Sequence, residues 1–160
     1  MKRIFVAGAL LAFALQGQEA HHNAVDQRGD RVMGFSHEKT THHFRLYRDG
    51  GAIEVTANEA SDTESRDQIR MHLGHIAKMF TSGDFNAPML IHDRIPPGVP
   101  VLQERKAELK YEFARTDRGG VIRIRTKDSE ALKALHEFLR FQIEDHRTGD
   151  TTKLSQPAFQ

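Results

Sequence analysis

Histidine is the residue type in this chain with the clearest potential for chemistry. The sequence of 160 residues contains 10 histidines, 5 methionines and no cysteine, so it offers imidazole and thioether groups but no thiolate. Neutral imidazole binds copper and zinc, and the soft sulfur of methionine favours Cu(I). These residue types predict a transition-metal site, with copper preferred over zinc. The candidate ligands are His42, His72, His75, Met79, His92, His136 and His146.

Three of these candidates share one edge of a predicted helix. His72, His75 and Met79 have the spacing i, i+3 and i+7, which places two imidazoles and a thioether on neighbouring turns. Three ligands on one helix edge rarely complete a coordination shell, so a histidine from elsewhere is required, with His42 and His136 preferred. The HxxH spacing is also common at the boundary of an ordinary amphipathic helix, so it is a weak motif by itself.

The remaining candidates are expected close to the same place. Alternation with Phe44 along a strand turns His42 toward the core. The helical wheel of a second helix puts Gln142 and His146 on its buried stripe, where each needs a hydrogen-bond partner. His92 lies between the two halves of the chain, and it reaches the same seam if those halves pack side by side.

Two other classes of function stay open. In the first, a buried histidine oriented by Asp93, Asp145 or Glu137 acts as the general base of a small enzyme. In the second, the chain is a non-catalytic interaction module whose histidines are structural or pH-responsive. The sequence has no Gly-rich phosphate loop and no nucleophile elbow, so it predicts no nucleotide cofactor and identifies no catalytic residue.

The elements that carry these residues follow a repeated pattern. Two hairpins are predicted, with turns at residues 49–51 and 117–120, and a helix follows each hairpin, beginning at residues 61–62 and 128–129. The pattern predicts an α+β fold, a two-layer sandwich from a duplicated ββα unit. Its four-stranded antiparallel sheet carries two helices on one face.

The rest of the chain is predicted to flank or connect these repeats. The Pro-rich connection is either a functional loop or a stiffened crossover, because it is longer than a plain connection needs. The lead-in is expected to dock through Val32, Met33 and Phe35. The predicted segments are a signal peptide (1–20), a flexible lead-in (21–39), a single domain (40–150, with repeats 40–84 and 107–150), the connection (85–106) and a flexible tail (151–160).

Residues 1–20 have the features of a secretory signal. Basic residues precede an apolar run, Ile4–Leu15, and Gly17 and Ala20 offer small residues for cleavage. The run is too short to span a bilayer, so the mature chain is predicted to be periplasmic or secreted without a membrane anchor.

Charge narrows the predicted partners. Lysine and arginine number 23 against 22 acidic residues, and this balance lacks the basic footprint of a nucleic-acid-binding protein. A hydrophobic content of 38% is enough for a packed core. The predicted partner is therefore a metal ion or another small ligand, and the sequence leaves the oligomeric state open.

Several short stretches resemble a group of short exported bacterial proteins. They are Thr40–Phe44, Gly83–Phe85, Pro96–Gly98 and His136–Leu139, and the resemblance covers most of the mature chain. That group is sometimes labelled aspartate carbamoyltransferase. Such enzymes have two domains and a Ser-Thr-Arg-Thr phosphate loop, for which Lys39–His42 is no substitute, so the label implies no catalytic residues here.

Overall fold

Two β-hairpins build the sheet of this protein. The computed structural model describes residues 7–156, with side chains from residue 17 onward. The sheet has the order β1-β2-β4-β3, and all neighbouring strands are antiparallel. The elements are α1 (Ala7–Met33), β1 (Thr40–Tyr47), β2 (Gly50–Ala57), α2 (Thr63–Ser82), α3 (Asn86–His92), α4 (Val99–Glu104), β3 (Leu109–Thr116), β4 (Gly119–Thr126) and α5 (Ser129–Asp145).

Helices α2 and α5 pack against this sheet and share its core. The side chain of Asp62 accepts a hydrogen bond from the backbone of Ser65 at the start of α2, and Asp128 does the same for Ala131 in α5. Helix α2 contacts β2, β3 and β4, whereas α5 contacts β1, β2 and β4. The predicted α+β class and four-stranded antiparallel sheet are confirmed. The order ββα occurs twice, and duplication as its origin stays a prediction.

The connection between the two halves contains two short helices. Pro88 and Ile91 of α3 are buried, and Val99 and Leu102 of α4 belong to the core region, so this connection is packed. Helix α3 ends at His92, which the surrounding elements bury almost completely. The segment therefore does more than cross from one half to the other, because it places one of the predicted histidines inside the protein.

The predicted flexible lead-in is mostly helical. Residues 21–33 belong to α1, which packs along α3, and Val25 is fully buried there. The side chain of Arg28 donates a hydrogen bond to the backbone oxygen of Ile91 at 2.7 Å. Local composition indicated a polar coil, but this helix is stabilised by contacts with α3 that periodicity does not show. The predicted docking of Phe35 is confirmed, since it lies in the core.

The two ends of the chain lie partly outside the described residues. In the tail, residues 151–156 have no regular structure, yet Ser155 donates its backbone N–H to the carbonyl of Leu46 at 2.8 Å. Residues 1–6 of the predicted signal and residues 157–160 of the predicted tail lie outside the described residues. Within residues 7–156, none of the helices combines the length and the apolar character needed to cross a membrane.

Candidate functional site

Four of the predicted histidines line one small cavity, which we call the histidine cavity. Its volume is about 70 Å³, and most of its remaining wall is made of apolar side chains from the core. The only other polar or sulfur-containing side chains among its described lining residues are Met33 and Gln142. The four histidines come from four separate elements: His42 from β1, His72 from α2, His92 from the end of α3 and His146 from the residue after α5.

Three of these rings form a close group. The ring centre of His146 lies 4.9 Å from that of His92 and 6.1 Å from that of His42. His72 lies on the other side of Phe35, whose ring centre is 5.6 Å from His72 and 6.1 Å from His42. The cavity wall therefore contains a cluster of three imidazoles and a fourth imidazole, His72, that contacts Phe35 and is separate from the cluster.

Three imidazoles of the cavity have uncommitted ring nitrogens. Among the described residues, none hydrogen-bonds to a ring nitrogen of His42, His72 or His146, in contrast to the histidines with partners. Burial lowers the pKa of His42 and of His72 to about 4, and that of His146 to about 3, with neighbouring imidazoles adding to the effect. All three rings are therefore neutral at pH 7, and each has a nitrogen lone pair for a ligand.

His92 differs because both of its ring nitrogens are engaged. Its Nδ1 lies 2.5 Å from Oδ2 of Asp145, and its Nε2 lies 3.0 Å from the Gln142 side-chain amide. The same carboxylate accepts hydrogen bonds from His21 at 3.0 Å and from Arg94 at 3.2 Å. His92 is thus fixed in orientation by a buried, well-anchored carboxylate.

The Gln142 amide must match the protonation state of His92. Burial lowers the pKa of His92 despite its hydrogen bonds to Asp145 and Gln142, so the ring is neutral at pH 7. A neutral ring that donates Nδ1–H to a carboxylate has an acceptor at Nε2, which faces Oε1 of Gln142, while the amide nitrogen has no partner among the described residues. The side-chain amide therefore has to turn by about 180° so that its NH₂ donates to the ring. The predicted burial of Gln142 and its pairing with another side chain, His92, are confirmed, whereas the ring of His146 has no such partner among the side chains described, residues 17–156.

The electrostatic surroundings of the cavity favour a cation of low charge. His92 ends α3 and His146 directly follows α5, so two helix C-termini with partial negative charge converge here. The following residues, Asp93 and Arg147, have positive φ values of 52° and 51°, which ends both helices sharply. No carboxylate is among the described side chains that line the cavity.

Three predicted ligands lie elsewhere. His75 is exposed in a separate groove beside Arg70 and Lys78. Met79 packs against the core but is not part of the cavity wall. His136 is buried, and its Nε2 lies 2.9 Å from the carbonyl oxygen of Tyr47 and 3.0 Å from that of Gly50, which makes it a structural link to the first hairpin.

One wall residue was not among the predicted ligands. Met33, at the end of α1, lines the cavity and also an open groove outside it. This outer groove has a volume of about 510 Å³ and shares His42 and His146 with the cavity. The sequence indicated only that Met33 docks on the core, and its place beside the histidines depends on how α1 packs against the domain.

The side chains are not already arranged as a metal centre. Among the described residues, no three His, Asp or Glu side chains are grouped so that they could hold one ion. A shared ion therefore requires side-chain rotation of His42 or His146, or a donor of another type.

Comparison with known proteins adds no assignment to this site. No family model, curated protein or solved structure matches the chain. The geometry and chemistry of the cavity are therefore the basis for interpreting it.

Proposed function

We propose that this protein binds one transition-metal ion, copper in preference to zinc, in the histidine cavity. His42 and His146 are the first ligands, and His72 is a further imidazole in the wall of the same cavity. One observation carries the proposal: three neutral imidazoles from three elements line one cavity without hydrogen-bond partners among the described residues. The three side chains are half-buried, so their unpaired nitrogens are available to an ion or to water.

The spacing of the rings supports this proposal. A metal–nitrogen distance of about 2.0–2.1 Å puts a ring centre about 3 Å from the ion, so two rings on one ion lie about 5–6 Å apart. The centres of His42 and His146 are 6.1 Å apart, close to that range. The two ring planes are nearly parallel, with an angle of 4° between them, so binding one ion requires rotation about side-chain torsions that turns both lone pairs toward one position. His92 supports His146 from the side, because Asp145 and Gln142 occupy its own nitrogens.

We also propose that the chain is exported, as the composition of residues 1–20 predicts. Removal of these residues would leave the contacts that hold α1 to the domain intact, since Val25, Arg28 and Met33 all lie beyond them. Without cysteine, the chain has no disulfide to form after export, and a bound ion would add stability by favouring the folded state.

A metal titration tests the first proposal. We expect the chain without an affinity tag to bind one equivalent of Cu(I), under anaerobic conditions, or of Zn(II). The affinity of the double variant His42→Gln, His146→Gln for the metal should be lower by about 100-fold or more. Replacing a residue that only supports a ligand typically lowers metal affinity by about 10–100-fold, and this variant removes two ligands. His75→Gln is the matched control, because that exposed histidine lies outside the cavity.

Two results would refute the metal proposal. One is a wild-type chain that takes up no metal in the titration. The other is binding that disappears only when His21 and His22 are replaced, since these residues hydrogen-bond to Asp145 outside the cavity wall.

A second candidate function is metal-independent general-base catalysis. It is favoured by the 2.5 Å hydrogen bond between Asp145 and His92, which holds the ring in one tautomer as in catalytic Asp–His pairs. In this role the Gln142 amide turns away from Nε2 of His92, and the freed nitrogen takes a proton from a water molecule in the cavity. The water attacks a substrate small enough to enter, and the imidazolium returns the proton to the leaving group. The cavity of about 70 Å³ restricts that substrate to a few heavy atoms.

Hydrolysis of methyl formate, followed by proton NMR, tests this second candidate. The wild-type chain should accelerate hydrolysis, and His92→Gln should lower the rate by about 100-fold, the lower end of general-base contributions. Asp145→Asn should also lower it, whereas Asp93→Asn, which changes an exposed neighbour, should not. Equal rates for wild type and His92→Gln would eliminate the candidate.

A further inference from the structure

Met33 occupies the boundary between the histidine cavity and the outer groove. It is the last residue of α1 and is partly buried against the core. Gly34 follows with φ +80° and ends the helix, so the chain turns away directly after Met33. A Cβ atom at Gly29 would lie 3.2 Å from the terminal methyl carbon of Met33, and the absence of a side chain there gives the thioether room.

We propose that Met33 is a thioether ligand that makes the histidine cavity selective for Cu(I) over Zn(II). This inference rests on the metal site proposed above and names the ion and its oxidation state. Both the histidine cavity and the outer groove are lined by Met33, His42 and His146. A soft thioether beside two neutral imidazoles is a donor set that selects Cu(I), whereas Zn(II) gains little from thioether sulfur.

The charge of the cavity also favours a monovalent ion. Every donor group available is neutral, and no carboxylate is found among the described lining side chains. The cost of moving an ion from water into an apolar site rises with the square of its charge, so a divalent ion costs about four times as much as a monovalent one. The two helix C-termini at His92 and His146 each supply at most about half a negative charge. Together they offset about a single positive charge. The nearest carboxylates, Asp145 and Asp30, lie outside the cavity wall and already pair with Arg94 and His37.

The size of the cavity supports the same choice. A volume of about 70 Å³ corresponds to about two water molecules at the density of the liquid. Zn(II) normally takes four ligands in a tetrahedron, so His42, His146 and Met33 would need a fourth donor, either water or His72. The set of His42, His146 and Met33 is instead sufficient for an ion that accepts three ligands.

The other methionines near α2 do not have this position. Met71 is 73% exposed and lies beside His75 in a different groove. Met79 packs against the core without lining the cavity. Met79→Leu is therefore a matched control for Met33→Leu: each removes a sulfur atom with little change in volume, and only one removes it from the cavity.

Competition titrations on the untagged chain test the proposal. Cu(I) affinity is measured anaerobically against bicinchoninate, and Zn(II) affinity against a zinc-binding dye, for wild type, Met33→Leu and Met79→Leu. We expect Met33→Leu to bind Cu(I) at least about tenfold more weakly, because changes around a metal site typically lower affinity by about 10–100-fold. Its affinity for Zn(II) should be unchanged. Met79→Leu should leave both affinities unchanged. X-ray absorption of the Cu(I) form should show a sulfur neighbour that disappears in Met33→Leu.

The outcomes separate this inference from the proposal beneath it. If the chain binds Cu(I) and Met33→Leu binds it equally well, or if no sulfur neighbour is present, the histidine site stands and the role of Met33 is refuted. If Met33→Leu weakens Cu(I) and Zn(II) to the same degree, the residue is structural and selectivity does not come from it. If the wild-type chain binds neither ion, both proposals fail. Thermal melting of each variant identifies any loss that comes from unfolding.

Discussion

The free energy of unfolding of the metal-free protein should fall by about 3 kcal/mol or more when the pH is lowered from 7 to 5. Each unit by which a pKa differs between the folded and unfolded states contributes about 1.4 kcal/mol. The cause is the lowered pKa of three histidines. In the unfolded chain a histidine has a pKa near 6.5, whereas burial lowers the pKa of His42 and His72 to about 4 and that of His146 to about 3. The unfolded state therefore binds more protons than the folded state between these values.

The direction of the effect follows from this difference in proton binding. Above about pH 6.5 the three histidines are neutral in both states, so they do not make stability depend on pH. As the pH falls, protons stabilise only the unfolded chain until about pH 4, where His42 and His72 begin to titrate in the folded state. Asp30 near His42 and Asp145 near His146 act in the opposite direction, but more weakly than burial.

Urea denaturation of the metal-free chain at intervals from pH 8 to pH 5 measures this dependence. The double variant His42→Gln, His146→Gln should have a flatter profile, because only His72 and His92, whose pKa is also lowered by burial, then contribute to it. His75→Gln should follow the wild-type profile. A wild-type stability that stays constant from pH 7 to pH 5 would mean that the three rings are fully solvated in the folded protein, and the burial that lowers their pKa values would then be wrong.

Gly98→Ala should destabilise the protein by at least about 3 kcal/mol or prevent it from folding, because it combines two unfavourable backbone effects. Gly98 precedes α4 with φ +81°, a conformation that a residue with a side chain rarely adopts. A Cβ atom there would lie 2.1 Å from the backbone oxygen of Ala134 in α5, far inside van der Waals contact. Neither backbone can move away without separating α4 from α5.

Gly149→Ala is the control that separates these two effects. Gly149 also has a positive φ, +75°, but nothing lies within 4 Å of a Cβ atom built on it. Its replacement should therefore cost only the conformational penalty, about 1–2 kcal/mol. Urea denaturation of both variants gives the comparison. Equal losses for the two would show that α4 and α5 do not approach as closely as Gly98 implies.

The strands and main helices could be read from the sequence because their signals are local. Alternation placed Phe44 and Leu46 on the core side of β1, and both are buried. Helix α2 begins after Asp62 and ends before Gly83. Aspartate is a preferred residue at the start of a helix and glycine at its end, so both ends could be predicted. Each of these features depends on a few neighbouring residues, so tertiary contacts were not needed to identify it.

Helix α1 and the first hairpin illustrate what local patterns leave undetermined. The polar stretch 21–33 is a helix because Val25 is buried against α3, and that contact involves residues distant in the chain. His136 satisfied the periodicity expected of a ligand, yet the carbonyl groups of Tyr47 and Gly50 occupy its Nε2. The helical structure of residues 21–33 and the hydrogen bonds of His136 both depend on which other element packs against them. The local sequence of each segment does not contain that information.

Tertiary packing also determined which of the predicted ligands line the histidine cavity. His72 lines the cavity, as do Ile76 and Phe80 on the following turns of α2, whereas Met79 does not. Packing against the sheet therefore turns the edge that carries His72 into the cavity and leaves Met79 outside it. His42 and His146 meet because β1 and the end of α5 are adjacent in the fold. Residue type and spacing determined which side chains could bind a metal. The packing of separate elements determined which of them share one cavity, because ligand convergence is a property of distance in space and not of position along the chain.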